Sequence, residues 1–187
     1  VILSRCGINI RGRARKLKIN YRTTDEIRKW AVGLLEGKDI DDLDGGIDSN
    51  ALYKSLTHGG PPIVEHFETA EQQAGFIKEL LDQADDSTNN CCVVARTKKE
   101  ITSIQSLLNN IGVETSLIQP DQAEKENGKL KLATVHRVKG LEFDTLILAS
   151  ANKGLIPLEY ALKGKADNIS KEEADTEERS LVYVAVT

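Results

Sequence analysis

Apolar positions along the chain come in two rhythms, and the two alternate. Short apolar runs mark strand candidates, "LKI" (17–19), "CCVVA" (91–95), "VETSLI" (113–118), "LKLATV" (130–135) and "TLILAS" (145–150), and "IVEHF" (63–67) alternates like a strand. Between them, apolar residues recur at helical spacing. "TTDEIRKWAVGLLEG" has a Thr to cap its start, acids in its first turn and Gly37 to close it. "TAEQQAGFIKELLDQA" sets Phe76, Ile77, Leu80 and Leu81 on one side, and "KKEITSIQSLLNNIG" ends on Gly112. "ALYKSLTHGGPP" reads as a short helical piece stopped by Gly-Gly-Pro-Pro, and "DIDDLDGGIDSN" as an acidic loop. "KEEADTEERSLVYVAVT" closes the chain as a helix, acidic first and apolar later. Strands alternating with helices predict a single α/β domain over residues 1–187 with a largely parallel sheet flanked by helices. The runs at 130–135 and 145–150 are too apolar for a sheet with one wet face. In such sheets ligands collect at the carboxyl ends of the strands.

Length and composition narrow this picture without changing it. The 187 residues suffice for one domain with a real core, and 40% apolar with 29% charged residues excludes a disordered tail or a fibre. No apolar run is long enough to span a membrane. Arg5, Arg11, Arg13 and Arg15 stand where a secretion signal would need an apolar stretch. Three cysteines, Cys6, Cys91 and Cys92, form no metal-binding spacing and predict buried free thiols in a reducing cytoplasm. The net charge is −4, yet residues 1–30 hold nine Lys or Arg against Asp25 and Glu26. That polarity suits either a polyanion-binding strip or a solvated surface. The chain opens on Val1, contains no Met and stops inside the apolar run "SLVYVAVT", as expected of a domain excised from a longer protein.

No complete catalytic constellation occurs within the sequence. It contains no G-x-x-x-x-G-K-[ST], G-x-G-x-x-G, G-x-S-x-G, H-E-x-x-H or C-x-x-C. The three histidines, at 58, 66 and 136, are too scattered to imply a metal site. Three stretches nevertheless carry chemistry. In "LKINYRTTDEI" (17–27), Tyr21 and Arg22 lie between a strand and a helix start. A tyrosine there can stack on a base and an arginine can grip phosphate oxygens, or the pair can simply pack on the helix and face solvent. In "TVHRVKGLEFDTLIL" (134–148), the polar residues fall between two strands. Gly140 allows a backbone shape or a close approach that a Cβ hinders. Glu142 can accept from a sugar hydroxyl, and Thr134 and His136 can donate to a phosphodiester. A satisfied structural histidine and a Lys139 paired with a carboxylate fit the same residues. The third stretch is "EERSLVYVAVT" (177–187).

Together, "NYRTT", "TVHRVKGLEFDTLIL" and "EERSLVYVAVT" resemble, in order, motifs IV, V and VI of the UvrD/Rep group of superfamily 1 DNA helicases. "CCVVARTKKEITSIQSLLNNIGVE" resembles the strand–helix unit between them, so the likeness runs from Leu17 to Thr187. The resemblance implies a three-layer RecA-like fold and the role of second motor domain, with residues 1–16 a basic connector from a first one. It implies an ATP site shared with that first domain, which would bring Walker A and Walker B and hold the Mg2+. On matching positions, Tyr21 would stack on adenine, Arg22 would be the catalytic arginine finger, and Gly140 and Glu142 would lie against ATP. Thr134 and His136 would touch single-stranded DNA. Two features depart from the family. Its motif VI continues with an Arg just past the position of Thr187, and the interval from Arg22 to His136 is too short for the accessory domain of large members. A non-catalytic RecA-like module that binds nucleic acid or a partner protein is the alternative.

Overall fold

The computed structural model describes Gly7 and residues 19–37, 54–83, 90–119, 129–163, 165 and 167–187. The chain forms two units, residues 1–63 with Thr187, and residues 64–186.

In the first unit, strand β1 (Ile19–Asn20) pairs in parallel with β2 (Lys54–Ser55), and helix α1 (Asp25–Gly33) follows β1. Thr24 caps α1 through its side chain, which accepts from the Ile27 amide at 3.4 Å. Asp25 is buried at the helix start, where its Oδ1 accepts from Arg28 Nη2 at 2.8 Å and Oδ2 meets Lys29 Nζ at 2.7 Å. Those hydrogen bonds, Lys29 first and Arg28 second, hold its carboxyl far below the usual carboxylate range. The Asp25 amide also donates to Thr57 O at 2.9 Å, and Glu26 accepts from His58 Nδ1 at 3.0 Å and the Gly59 amide at 2.9 Å. The helix start and the segment after β2 are thus laced together. Lacing of this kind explains why Lys54–Ser55 is strand and not part of a helical piece: its backbone bonds go sideways, with Leu56 N donating to Asn20 O at 3.2 Å. Residues 51–53 of that piece, Cys6, the acidic loop at 39–50 and the basic run 11–16 lie outside the described residues. Helix α1 ends at Gly33, short of Gly37, and its last residues tighten into turns in which Leu34, Leu35 and Glu36 each bond three residues back. Gly37, at φ +75°, stops them.

The second unit is built on a parallel sheet in the order β4-β5-β3-β6: β4 (Thr115–Leu117), β5 (Leu130–Thr134), β3 (Cys91–Ala95) and β6 (Thr145–Leu148). Helices α2 (Ala70–Gln83), α3 (Lys98–Asn110), α4 (Glu159–Lys163) and α5 (Asn168–Val186) complete it. Side-chain alternation divides the interior into two cores. Cys91, Val93, Ala95, Leu130 and Leu132 meet Ala74 and Ile77 of α2 and Ile101, Ile104 and Leu108 of α3. Cys92, Val94 and Ala133 meet Ala185 and Leu181 of α5, along with Val135, Val138 and Phe143. Both faces of β3 and β5 are therefore covered, as their continuous apolar runs require. The cysteines at 91 and 92 are free and buried, and burial pushes their thiols up to about 11 and about 12.

Two expectations fail in this unit. Residues 63–67 form no strand; Ile63 and Val64 are exposed, and alternation without a covered face or a partner edge does not specify a ladder. Phe67 lies 5.3 Å from Phe76 between ring centroids. Helix α5 starts earlier than expected, at Asn168, because the Asp167 side chain accepts from the Ser170 amide at 2.8 Å and from its hydroxyl at 2.9 Å. The five-residue α4 carries no sequence signal of its own.

Candidate functional site

Tyr21 and Arg22 occupy the turn between β1 and α1. Asn20 shapes that turn: its Oδ1 accepts from the Arg22 amide at 2.8 Å and the Thr23 amide at 3.3 Å. The following Thr23 is buried while Tyr21 is 73% exposed and Arg22 is exposed too.

The 134–144 segment shows how a polar loop is held on an apolar sheet. Val135 and Val138 are buried, whereas His136, Arg137, Lys139 and Gly140 are exposed. The Val135 amide donates to Ala95 O at 3.0 Å, Arg137 N to Thr134 O at 2.8 Å, and Leu141 N to Val138 O at 2.9 Å. Two valines thus act as pegs, and the residues between them are turned outward. Gly140 sits at φ +85° with open space where a Cβ would be, so its conformation, and no close approach within the chain, calls for glycine. Gly140→Ala is expected to cost about 1–2 kcal/mol in denaturant unfolding, and Gly140→Asn less. Glu142 is exposed; its carbonyl accepts from Asn90 Nδ2 at 2.8 Å, while Asn90 Oδ1 accepts from Lys131 Nζ at 2.8 Å. The Asp144 amide donates to Asn90 O at 3.0 Å, so one asparagine ties down the far end of the loop.

Sequence reasoning missed the strongest electrostatic feature beside this loop. Arg96, the residue after β3, makes a two-pronged pair with Glu178 of α5: Nε to Oε2 at 2.7 Å and Nη2 to Oε1 at 2.5 Å. Both side chains are largely buried. Oε2 also accepts from the Leu158 amide at 3.1 Å. Burial alone would raise the Glu178 pKa, but the Arg96 and Leu158 hydrogen bonds and the charges of Arg96 and His136 outweigh it, and the carboxyl is lowered. His136 is lowered as well, by burial first and by the Arg96 charge second, with Glu178 opposing. The signal that could have found this pair is an Arg directly after a fully buried strand together with a Glu on the buried face of the last helix. Neither residue has a recognisable spacing to the other.

The structure places Thr134 at the last position of β5 and His136, Gly140 and Glu142 on the loop that follows it, at the carboxyl end of a central strand. Tyr21 and Arg22 share a turn in the other unit. Among the described residues, no group of His, Cys, Asp and Glu could hold a metal ion, and no helix is long and apolar enough to cross a membrane.

A parallel sheet covered by helices on both faces, with its polar loops at the strand ends, is a three-layer α/β domain with the architecture of a RecA-like fold. The model of the UvrD-like helicase C-terminal domain matches residues 15–122 and 108–187, and the chain belongs to this family. It is 30% identical over 120 residues to the ATP-dependent DNA helicase srs2 of Schizosaccharomyces pombe, covering 64% of this chain and 12% of that protein. It is 35% identical over 83 residues to the ATP-dependent DNA helicase PcrA of Staphylococcus aureus MRSA252, covering 44% of this chain and 10% of that one. With PcrA of Bacillus subtilis it shares 33% over 93 residues, 48% of this chain and 12% of the relative. The chain therefore spans about a tenth of the length of these relatives. Among solved structures, the C-terminal domain of a possible DNA helicase from Lactobacillus plantarum WCFS1 superposes with a TM-score of 0.55 at 18% identity, covering 89% of this chain and 80% of that one. That likeness supports the fold.

Proposed function

We propose that the chain is the second of two RecA-like motor domains, residues 1–187, of an ATP-dependent DNA helicase or translocase. The observation that carries this reading is the loop after β5. It presents Thr134, His136, Gly140 and Glu142 from one rigid base, in a chain of the UvrD-like helicase C-terminal domain family. In this reading Tyr21 stacks on adenine, Glu142 accepts from the ribose, Gly140 lets the backbone pass close to the nucleotide, and Arg22 meets the γ-phosphate. Thr134 and His136 contact the backbone of single-stranded DNA, as movement without sequence preference requires. The first motor domain supplies the phosphate-cradling loop and the Mg2+ ligands. Closure of the two domains around ATP and reopening after hydrolysis would advance the strand.

Half of a shared site cannot turn over. The purified chain is accordingly expected to show no ATP hydrolysis above background, with or without DNA, and only weak nucleotide binding. A coupled phosphate-release assay checks this, and measurable turnover by the chain alone overturns the two-domain reading.

A further inference from the structure

Glu178 gathers three segments on one carboxylate. Arg96 comes from the end of β3, Leu158 from the segment before α4, and Glu178 itself from α5. The strand register adds a fourth. Ala95 pairs with Thr134, and the Val135 amide still bonds Ala95 O, so Arg96 and His136 leave the ends of two neighbouring strands side by side. We propose that Glu178 is a positioning residue for the loop after β5: by fixing the Arg96 guanidinium beside His136, it sets where and how that imidazole is presented to a nucleic-acid strand. The proposal rests on the reading in which Thr134 and His136 meet single-stranded DNA. Glu178 itself is buried.

A buried ion pair adds little net stability, because desolvation of both charges offsets their attraction. What a two-pronged Arg–carboxylate contact does supply is direction, since the planar fork accepts one geometry. Arg96 has that fixed direction where a flexible cation would swing. Among the described residues, the charges that act on His136 are Arg96 from the end of β3 and Glu178 from α5, while Arg137 and Lys139 stand exposed beside it in sequence. Arg96 lowers the imidazole pKa and Glu178 raises it, which gives each substitution a sign.

The test follows His136 by NMR titration of its ring protons in the 187-residue chain, alongside fluorescence anisotropy with an oligothymidylate of about 16 nucleotides. Glu178→Gln removes the opposing charge and is expected to move the His136 pKa down; Arg96→Gln is expected to move it up. The double variant Arg96→Gln/Glu178→Gln leaves no unpaired buried charge and is expected to stay folded. With His136 no longer held in place, it should bind the oligonucleotide roughly tenfold more weakly, the size of one lost hydrogen bond from His136 to a phosphodiester. Wild-type His136 titration in both single variants, together with wild-type binding by the folded double variant, would overturn the proposal. His136→Ala separates the two layers of inference. Unchanged oligonucleotide binding there removes the DNA reading, and shifted His136 titration in the other variants still upholds the coupling.

Discussion

Replacing Arg22 by Ala is expected to lower kcat for ATP about 10³-fold or more in a protein that carries both motor domains, with a far smaller change in KM. Phosphoryl transfer spreads negative charge over the moving group, and a guanidinium that meets those oxygens only when the domains close stabilises the transition state more than the ground state. A drop of that size corresponds to about 4 kcal/mol of lost transition-state stabilisation. The turn that presents Arg22 is set by the Asn20 side chain and backbone bonds, so the substitution leaves the turn intact. Arg22 is exposed, and its replacement should not unfold the domain. Arg22→Lys keeps the charge but loses the fork, and partial recovery by Lys would show how much of the effect is point charge. Steady-state ATPase kinetics at saturating single-stranded DNA check the prediction. A defect confined to KM would remove Arg22 from the finger role and leave it a ground-state phosphate contact.

Legibility of the fold in the sequence tracked burial. "CCVVA" became β3 residue for residue, because a run with both faces covered needs no alternation to announce itself. "LKLATV" and "TLILAS" were found but ended early, since the last residues of each leave the ladder. "IVEHF" has a strand's alternation and no strand, for period alone cannot say whether a face is covered. Lys54–Ser55 has a helical pattern in the sequence, and its pairing with β1 is set by the Asp25 side chain of α1, more than twenty residues upstream, which no local pattern reveals. The candidate site divides along the same line. Its loop was legible because Thr134, His136, Gly140 and Glu142 are contiguous in the chain. The Arg96–Glu178 pair was not, because its partners stand 82 residues apart and meet only through the sheet. Val135 and Val138, which peg the loop, looked like ordinary apolar residues in a polar stretch.

Leu132→Ala should be the most damaging substitution in the second unit's core, at about 2–5 kcal/mol. Leu132 is fully buried at the centre of β5, with β4 on one side and β3 on the other, and it shares a core with Val93, Ile104 and Leu108. Truncation there removes the transfer free energy of the lost carbons and leaves a cavity between sheet and helices that a flanked strand cannot close. Leu117, on the edge strand β4 and 43% exposed, is the control, and Leu117→Ala should cost under about 1 kcal/mol. Native domains have only about 5–15 kcal/mol in total, so Leu132→Ala spends a large part of the margin. Amide hydrogen exchange localises the result: protection of β3 and β5 should fall together, because each supplies the other's ladder partners. The consequence for function is particular. Thr134 is the last residue of the same strand, two positions beyond Leu132, so a loosened β5 loosens the base of the loop proposed to meet DNA without altering any group on it. DNA affinity should then fall in step with the folded fraction, and recover on cooling towards the temperature of maximum stability. A fall in affinity with β3 and β5 protection unchanged would mean that Leu132 acts on the loop by some route other than the stability of its strand.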